Sequence, residues 1–321
     1  MTYLTQRTLV GWALADATLL YRPIIEGSVD LNPVEYTVTE NGEYVGTNSP
    51  APALYTGRKA SVKFSTWLYG AASGTAIPAA PLIAACGMAI SPAAVVTSQD
   101  FTTSAADLHI DADLDACDIG IWIDGVIWYI DECVGNMELV LEAGKLPRCN
   151  WEFIGVASAN SGAILGAPSI TTTGIKNPVP VAAGTASVAA LAEGAVTAIS
   201  MSKMVINLNN KTIERPDVSG AYGYGVPIVS GNRPTLFAEL DYLVPTGGSI
   251  VMDFEARLAA ASYLTWAYTH GTGLGANQGF VLSFKGDPIS VSRMDTDGVL
   301  RVEVGCQLST GGTFSLDYTA S

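Results

Sequence analysis

Period-two alternation of apolar and polar side chains constrains this chain more than any other feature. In residues 58–70, Lys59, Ser61, Lys63 and Ser65 fall on one face and Ala60, Val62, Phe64 and Leu68 on the other. That pattern specifies a half-buried strand. The alternation returns over residues 119–156, where Asp124-Gly125 predicts a hairpin turn between IGIWI and VIWYI. Gly135-Asn136 predicts a second turn, and residues 144–147 a third, before NWEFIGV. Residues 78–88 (PAAPLIAACGM) open on prolines, are Ala-rich and end near Gly87, so they read as one short helix. The expected class is mainly β.

The order of these features recurs. GRKAS at Gly57 has a counterpart in GNRPT at Gly231, an offset of 174 that keeps the apolar face, with Val62 against Leu236 and Phe64 against Ala238. Leu31-Asn32 matches Leu208-Asn209 at 177, and Ile83 to Cys86 matches Leu258 to Ala261 at 175. Three anchors with so little drift indicate an internal duplication. The counterpart of Asp124-Gly125 is either Lys285-Gly286 or Asp297-Gly298. A Ser-, Gly-, Thr- and Pro-rich stretch separates the copies, giving a first domain at 1–158 with an N-terminal arm, a linker at 159–180 and a second domain at 181–321.

Only 14% of the residues are charged, and the formal net charge is −14. An acidic chain with no basic stripe is not built to grip nucleic acid. Residues 1–160 carry most of the excess, with 18 acids against 7 bases. No apolar run reaches the length of a membrane span, and no basic segment followed by an apolar core opens the chain, so neither a membrane nor secretion is expected. Cys86, Cys117, Cys133, Cys149 and Cys306 have no C-x-x-C spacing and read as buried free thiols.

Motifs that could carry chemistry are weak. Of Asp111, Asp113, Asp115 and Asp118, the first three alternate as a calcium loop requires, but the sixth position is Ala116 and the twelfth is Trp122, so an acidic solvated loop is expected. His109 and His270 stand alone, which favours surface or loop positions over a metal site or a triad. The glycine-rich stretches GAYGYG and GTGLGANQG lack the strand–helix context of a phosphate cradle. Glu138 and Glu142, and Glu239 and Asp241, have even spacing and should form an acidic strip on one strand face. A glycosidase could use two such carboxylates, but it needs an aromatic-lined cleft. No enzyme, cofactor or metal is expected.

The order of TGRKASVKFSTWLYG, PLIAACGM and WIDGVIWYIDECVGNMELVLEAGKLPRCNWEFIGV, then KNPVPV and MVINLNNKTIERPDVSGAYGYGVPIVSGNRPTLFAELDYL, resembles the tail tube proteins of long-tailed bacteriophages, of the non-contractile kind by length. The resemblance implies two tandem tail-tube-type β-sandwich domains, each with a short flanking helix. It implies rings that stack around a lumen conducting genomic DNA, with a duplicated chain forming a three-fold ring of pseudo-six-fold symmetry. It also implies a place in the virion tail after assembly in the host bacterial cytoplasm. The implied partners are other copies of the chain, a tape-measure protein, tail-end proteins and double-stranded DNA that passes without specific binding. On that reading Glu138, Glu142, Glu239 and Asp241 line the lumen and repel the polyanion. The arm at 1–21 and the long segments 26–56 and 207–230 bridge successive rings through Trp12, Leu19, Leu20, Tyr36, Tyr44, Tyr55, Tyr222 and Tyr224. The rival reading is a β-sandwich binding or decoration module with aromatic loops around Tyr222 and Tyr224.

Overall fold

A computed structural model describes residues 8–15, 17–39, 54–72, 76–91, 99–104, 115–158, 163–164, 166–182, 184–190, 194–220, 223–241, 250–260, 263–270, 279–296, 299–309 and 312–319. Through residue 182 the elements are β1 (Thr8–Leu14), β2 (Leu20–Arg22), β3 (Asp30–Thr39), β4 (Leu54–Trp67), β5 (Gly70–Ala71), α1 (Ala80–Ala85), β6 (Ala89–Ser91), β7 (Gln99–Ser104), β8 (Cys117–Ile123), β9 (Val126–Glu142), β10 (Arg148–Ala157), β11 (Ala163–Ile164) and β12 (Ile175–Lys176). They continue with β13 (Thr185–Ala190), β14 (Gly194–Ile199), β15 (Met201–Asn207), β16 (Thr212–Pro216), β17 (Tyr224–Val229), β18 (Thr235–Asp241), α2 (Ile250–Ala260), β19 (Leu264–His270), β20 (Gly279–Thr296), β21 (Val299–Leu308) and β22 (Thr313–Thr319). The protein is mainly β, and every strand pairing is antiparallel.

Among the described residues, eighteen strands form one continuous array that folds over on itself. Its main run is β3–β4–β10–β9–β15–β18–β21–β20. The fold-over occurs along two long strands. The N-terminal part of β9 pairs with β8, which pairs with β1 and through it β2, while its C-terminal part lies between β10 and β15. β20 repeats this arrangement with β19, β13 and β14 at one end and β21 at the other. Glu132, with φ 53°, sits at the register shift where β9 leaves one layer for the other. The Asp118 carboxylate accepts its N–H at 2.9 Å. The layers enclose the main core, in which Trp12 of β1 stacks on Phe64 of β4 at 5.8 Å.

The Asp124-Gly125 turn is present, with both residues at positive φ. Gly135-Asn136 is not a turn but lies inside β9. Glycine is required there because a Cβ would overlap the Glu152 carbonyl oxygen and the Phe153 ring of the neighbouring β10. Matching the pairings of the two halves also corrects the repeat register. Val62 pairs with Leu31 and its counterpart Leu236 pairs with Ile206, so Leu31-Asn32 corresponds to Ile206-Asn207, not to Leu208-Asn209. Asp124-Gly125 corresponds to residues 271–278 between β19 and β20, which lie outside the described residues. Lys285-Gly286 belongs to β20, and Asp297-Gly298, between β20 and β21 in sequence, lies outside the described residues.

Residues 99–104 depart from the repeated order. β7 pairs with β6 on one side and on the other with β22, near the far end of the chain. The stretch read as a linker also lies down on the first half. β11 pairs with β9 and β12 with β5, and Val181 exchanges backbone hydrogen bonds with Gly144 and Lys145 at 2.8–2.9 Å.

Candidate functional site

One face of the main run is polar, and position parity builds it. On β9, Met137, Leu139 and Leu141 are buried, so Asn136, Glu138 and Glu142 point the other way. Register carries the same face across the junction between the halves. Glu142 lies opposite Lys203, and Lys203 opposite Glu239, with Asp241 two residues further on. All four carboxylates expected in a strip therefore share one face of one continuous sheet.

The strip is not purely acidic, because cations are interspersed among the carboxylates, Lys203 between Glu142 and Glu239 and Arg301 opposite Asp241. Arg301 of β21 reaches Glu239 at 2.8 Å and Asp241 at 3.4 Å. Lys63 meets Glu152 at 2.6 Å, and this hydrogen bond holds the Lys63 ammonium above its ordinary pKa. Glu142 pairs with Lys145 at 2.6 Å; that contact, then Lys203 and Arg148, holds its carboxyl below the usual range. Glu138 instead accepts a hydrogen bond from Asn150 at 2.7 Å, and Asn150 accepts one from Ser65 at 2.8 Å. Asn136 donates to Asn207 across the junction at 2.9 Å. Lys63, Ser65, Asn136, Glu138, Asn150 and Asn207 line a shallow cleft of about 190 Å³. The cleft is a ladder of amides and carboxylates that satisfy one another, with no nucleophile set against a base among its lining residues.

The basic and amide members of the face, Lys63, Arg148, Asn150, Lys203, Asn207 and Arg301, were not among the residues expected to form a site. Parity alone could have placed Lys203 and Asn207 in phase with each other. Placing them beside Glu142 and Glu138 required knowing that β15 pairs with β9.

The residues expected to bridge rings are placed differently. Trp12 is a core residue, 3% exposed, whose Nε1 donates to the Pro78 carbonyl at 2.7 Å. It therefore has no surface to offer a neighbour, and residues 8–14, expected in an arm, are a paired strand inside the sheet. Leu19 packs with Tyr21, Trp122 and Ile127, whereas Leu20 is 39% exposed. Tyr224 is half-buried in a notch beside Lys59, Ile154 and Val156, where the β16–β17 hairpin lies against the first half of its own chain. That contact is made within the chain. Tyr44 and Tyr222, and the side chains of Tyr36 and Tyr55, lie outside the described residues.

His270 is buried, not on the surface as expected. Its Nδ1 faces the Tyr268 hydroxyl at 3.2 Å and its Nε2 faces the Val179 carbonyl at 3.1 Å, and burial pushes its pKa down. The five cysteines are free and buried, and burial pushes the Cys149 thiol up. Asp115 is exposed, while Asp111, Asp113 and His109 lie outside the described residues. Among the described residues no group of three or more His, Cys, Asp or Glu could hold a metal, and no helix is long and apolar enough to cross a membrane. No protein-family model matches the chain, and no curated protein matches it.

Proposed function

We propose that this chain is a structural tube protein of a bacteriophage tail, with two tandem β-sandwich domains that polymerise as stacked rings around a lumen for double-stranded DNA. The observation that carries this reading is the main run of strands, which passes unbroken from the first half into the second through the β9–β15 junction. Its outer strands, β3 and the C-terminal part of β20, are each paired on one side among the described strands. Open edges of this kind invite further strands unless they are covered, and closure into a ring covers them all. Because the strand order of the first half recurs in the second, three chains supply six similar units.

The polar face suits a passive conduit. A lining of unmatched Lys and Arg would hold phosphates through counterion release. Here Lys63 and Arg301 are already paired with carboxylates, and Lys203 stands between Glu142 and Glu239, so the face offers DNA no continuous positive track. On this reading the lumen is a ladder of mixed charge with carboxylates in excess, not a purely acidic sleeve.

Negative-stain microscopy of the purified protein, with mass measurement of cross-linked rings, tests the reading. Rings or tubes with three chains per ring are expected. Six full-length chains per ring would overturn the duplication argument, and discrete monomers would overturn the tube.

A further inference from the structure

The two halves meet through a contact whose counterpart elsewhere on the molecule is open. On the first half, Lys59 of β4 holds Glu214 of the β16–β17 hairpin at 2.9 and 3.1 Å, and Tyr224 and Pro227 of that hairpin close over Ile154 and Val156. The space left there is only about 10 Å³. β4 maps onto β18 with a shift of 174 and β10 onto β21 with a shift of 153, because Val62 pairs with Phe153 as Leu236 pairs with Cys306. Under those shifts Lys59 becomes Arg233 and Ile154 becomes Gln307. These two residues line an open groove of about 660 Å³ on the second half, with Lys211 and Asn232. Its lining includes two cations and no carboxylate.

The first half carries the matching insert. Val38↔Tyr55 and Thr39↔Leu54 correspond to Thr212↔Val229 and Ile213↔Ile228, a shift of 174 on both strands. At that shift the sequence counterpart of Glu214 is Glu40, so both signs of the Lys59–Glu214 pair recur as Arg233 and Glu40. The strand junction beside the hairpin has open counterparts too. Glu138 of β9 pairs with Asn207 of β15, and the cross-strand pairings carry Glu138 to Ser292, a shift of 154, and Asn207 to Asn32, a shift of 175. Residues 288–292 of β20 and residues 30–32 of β3 are each paired on one side only among the described strands.

We infer that the groove at Arg233 and Gln307, with the adjoining edge of β20, is a docking surface for the first half of another copy of this chain. The pose and register are those in which the second half docks within the chain. The inference rests on the ring reading and adds to it a surface, a register and an ion pair.

Two chains carrying Asn32→Cys and Ser292→Cys respectively, mixed and oxidised, test it. The native thiols are buried, so background coupling is low. A disulfide-linked dimer is expected only in the mixture, and not when Asp287→Cys replaces Ser292→Cys. In parallel, Arg233→Glu should raise the protein concentration needed for half-assembly about fivefold or more per contact, and adding Glu40→Arg should restore it. Circular dichroism checks that each variant folds. If the wild-type chain forms rings but neither the cross-link nor the rescue is seen, this docking is overturned and the ring reading stands. If the wild-type chain stays monomeric, both fall.

Discussion

His270 shows how one residue can tie two segments together through a protonation state. Its ring is buried against Phe280 at 4.8 Å, with Tyr268 and the Val179 carbonyl at its nitrogens. A neutral ring fits there, and burial keeps the folded pKa below the ordinary value of 6.5. Protonation therefore favours the unfolded chain. The stability held by this site is fully present above pH 6.5 and is lost as pH falls through the depressed folded value. Chemical denaturation at pH 7.5 and 5.5 should show a drop in stability that His270→Asn flattens; an equal drop in the variant would assign the effect elsewhere. No local pattern around His270 calls for burial, because isolated imidazoles are usually surface groups and its partner Val179 lies 91 residues away.

Strands were legible wherever one face is wet, as in β4, because alternation is then enforced by water. β9 was not, because it serves both layers: Cys133, Val134 and Gly135 are buried in succession, and the glycine looks like a turn. Gly135→Ala distinguishes the two roles. A Cβ there meets backbone on β10, which cannot swing aside as a side chain can, so a loss of about 1–3 kcal/mol is expected from urea unfolding. At the true turn residue Gly125 a Cβ has open space, and only the φ of 92° opposes it, so Gly125→Ala should cost about 1 kcal/mol. The carboxylates of the polar face were found from their even spacing. Their cationic neighbours were hidden because cross-strand partners are set by topology, not by local pattern.

At the scale of the whole molecule, short anchors signalled the recurring strand order, but nothing signalled the crossing of β7 into the sheet of the second half. Nothing in residues 99–104 points to residues 313–319, and the pairing joins segments roughly 200 residues apart. Removing residues 310–321 should therefore expose β7 and the N-terminal part of β20 together, and such a chain is expected in the insoluble fraction on expression. A soluble truncated chain with an unchanged far-ultraviolet spectrum would show that β22 is dispensable. The same pairing fixes an order in time. During synthesis at about 5–20 residues per second, β7 leaves the ribosome at least roughly ten seconds before the strand that pairs with it. The first half must spend that interval with one edge bare, so its native sheet is completed only once residues 313–319 have been made.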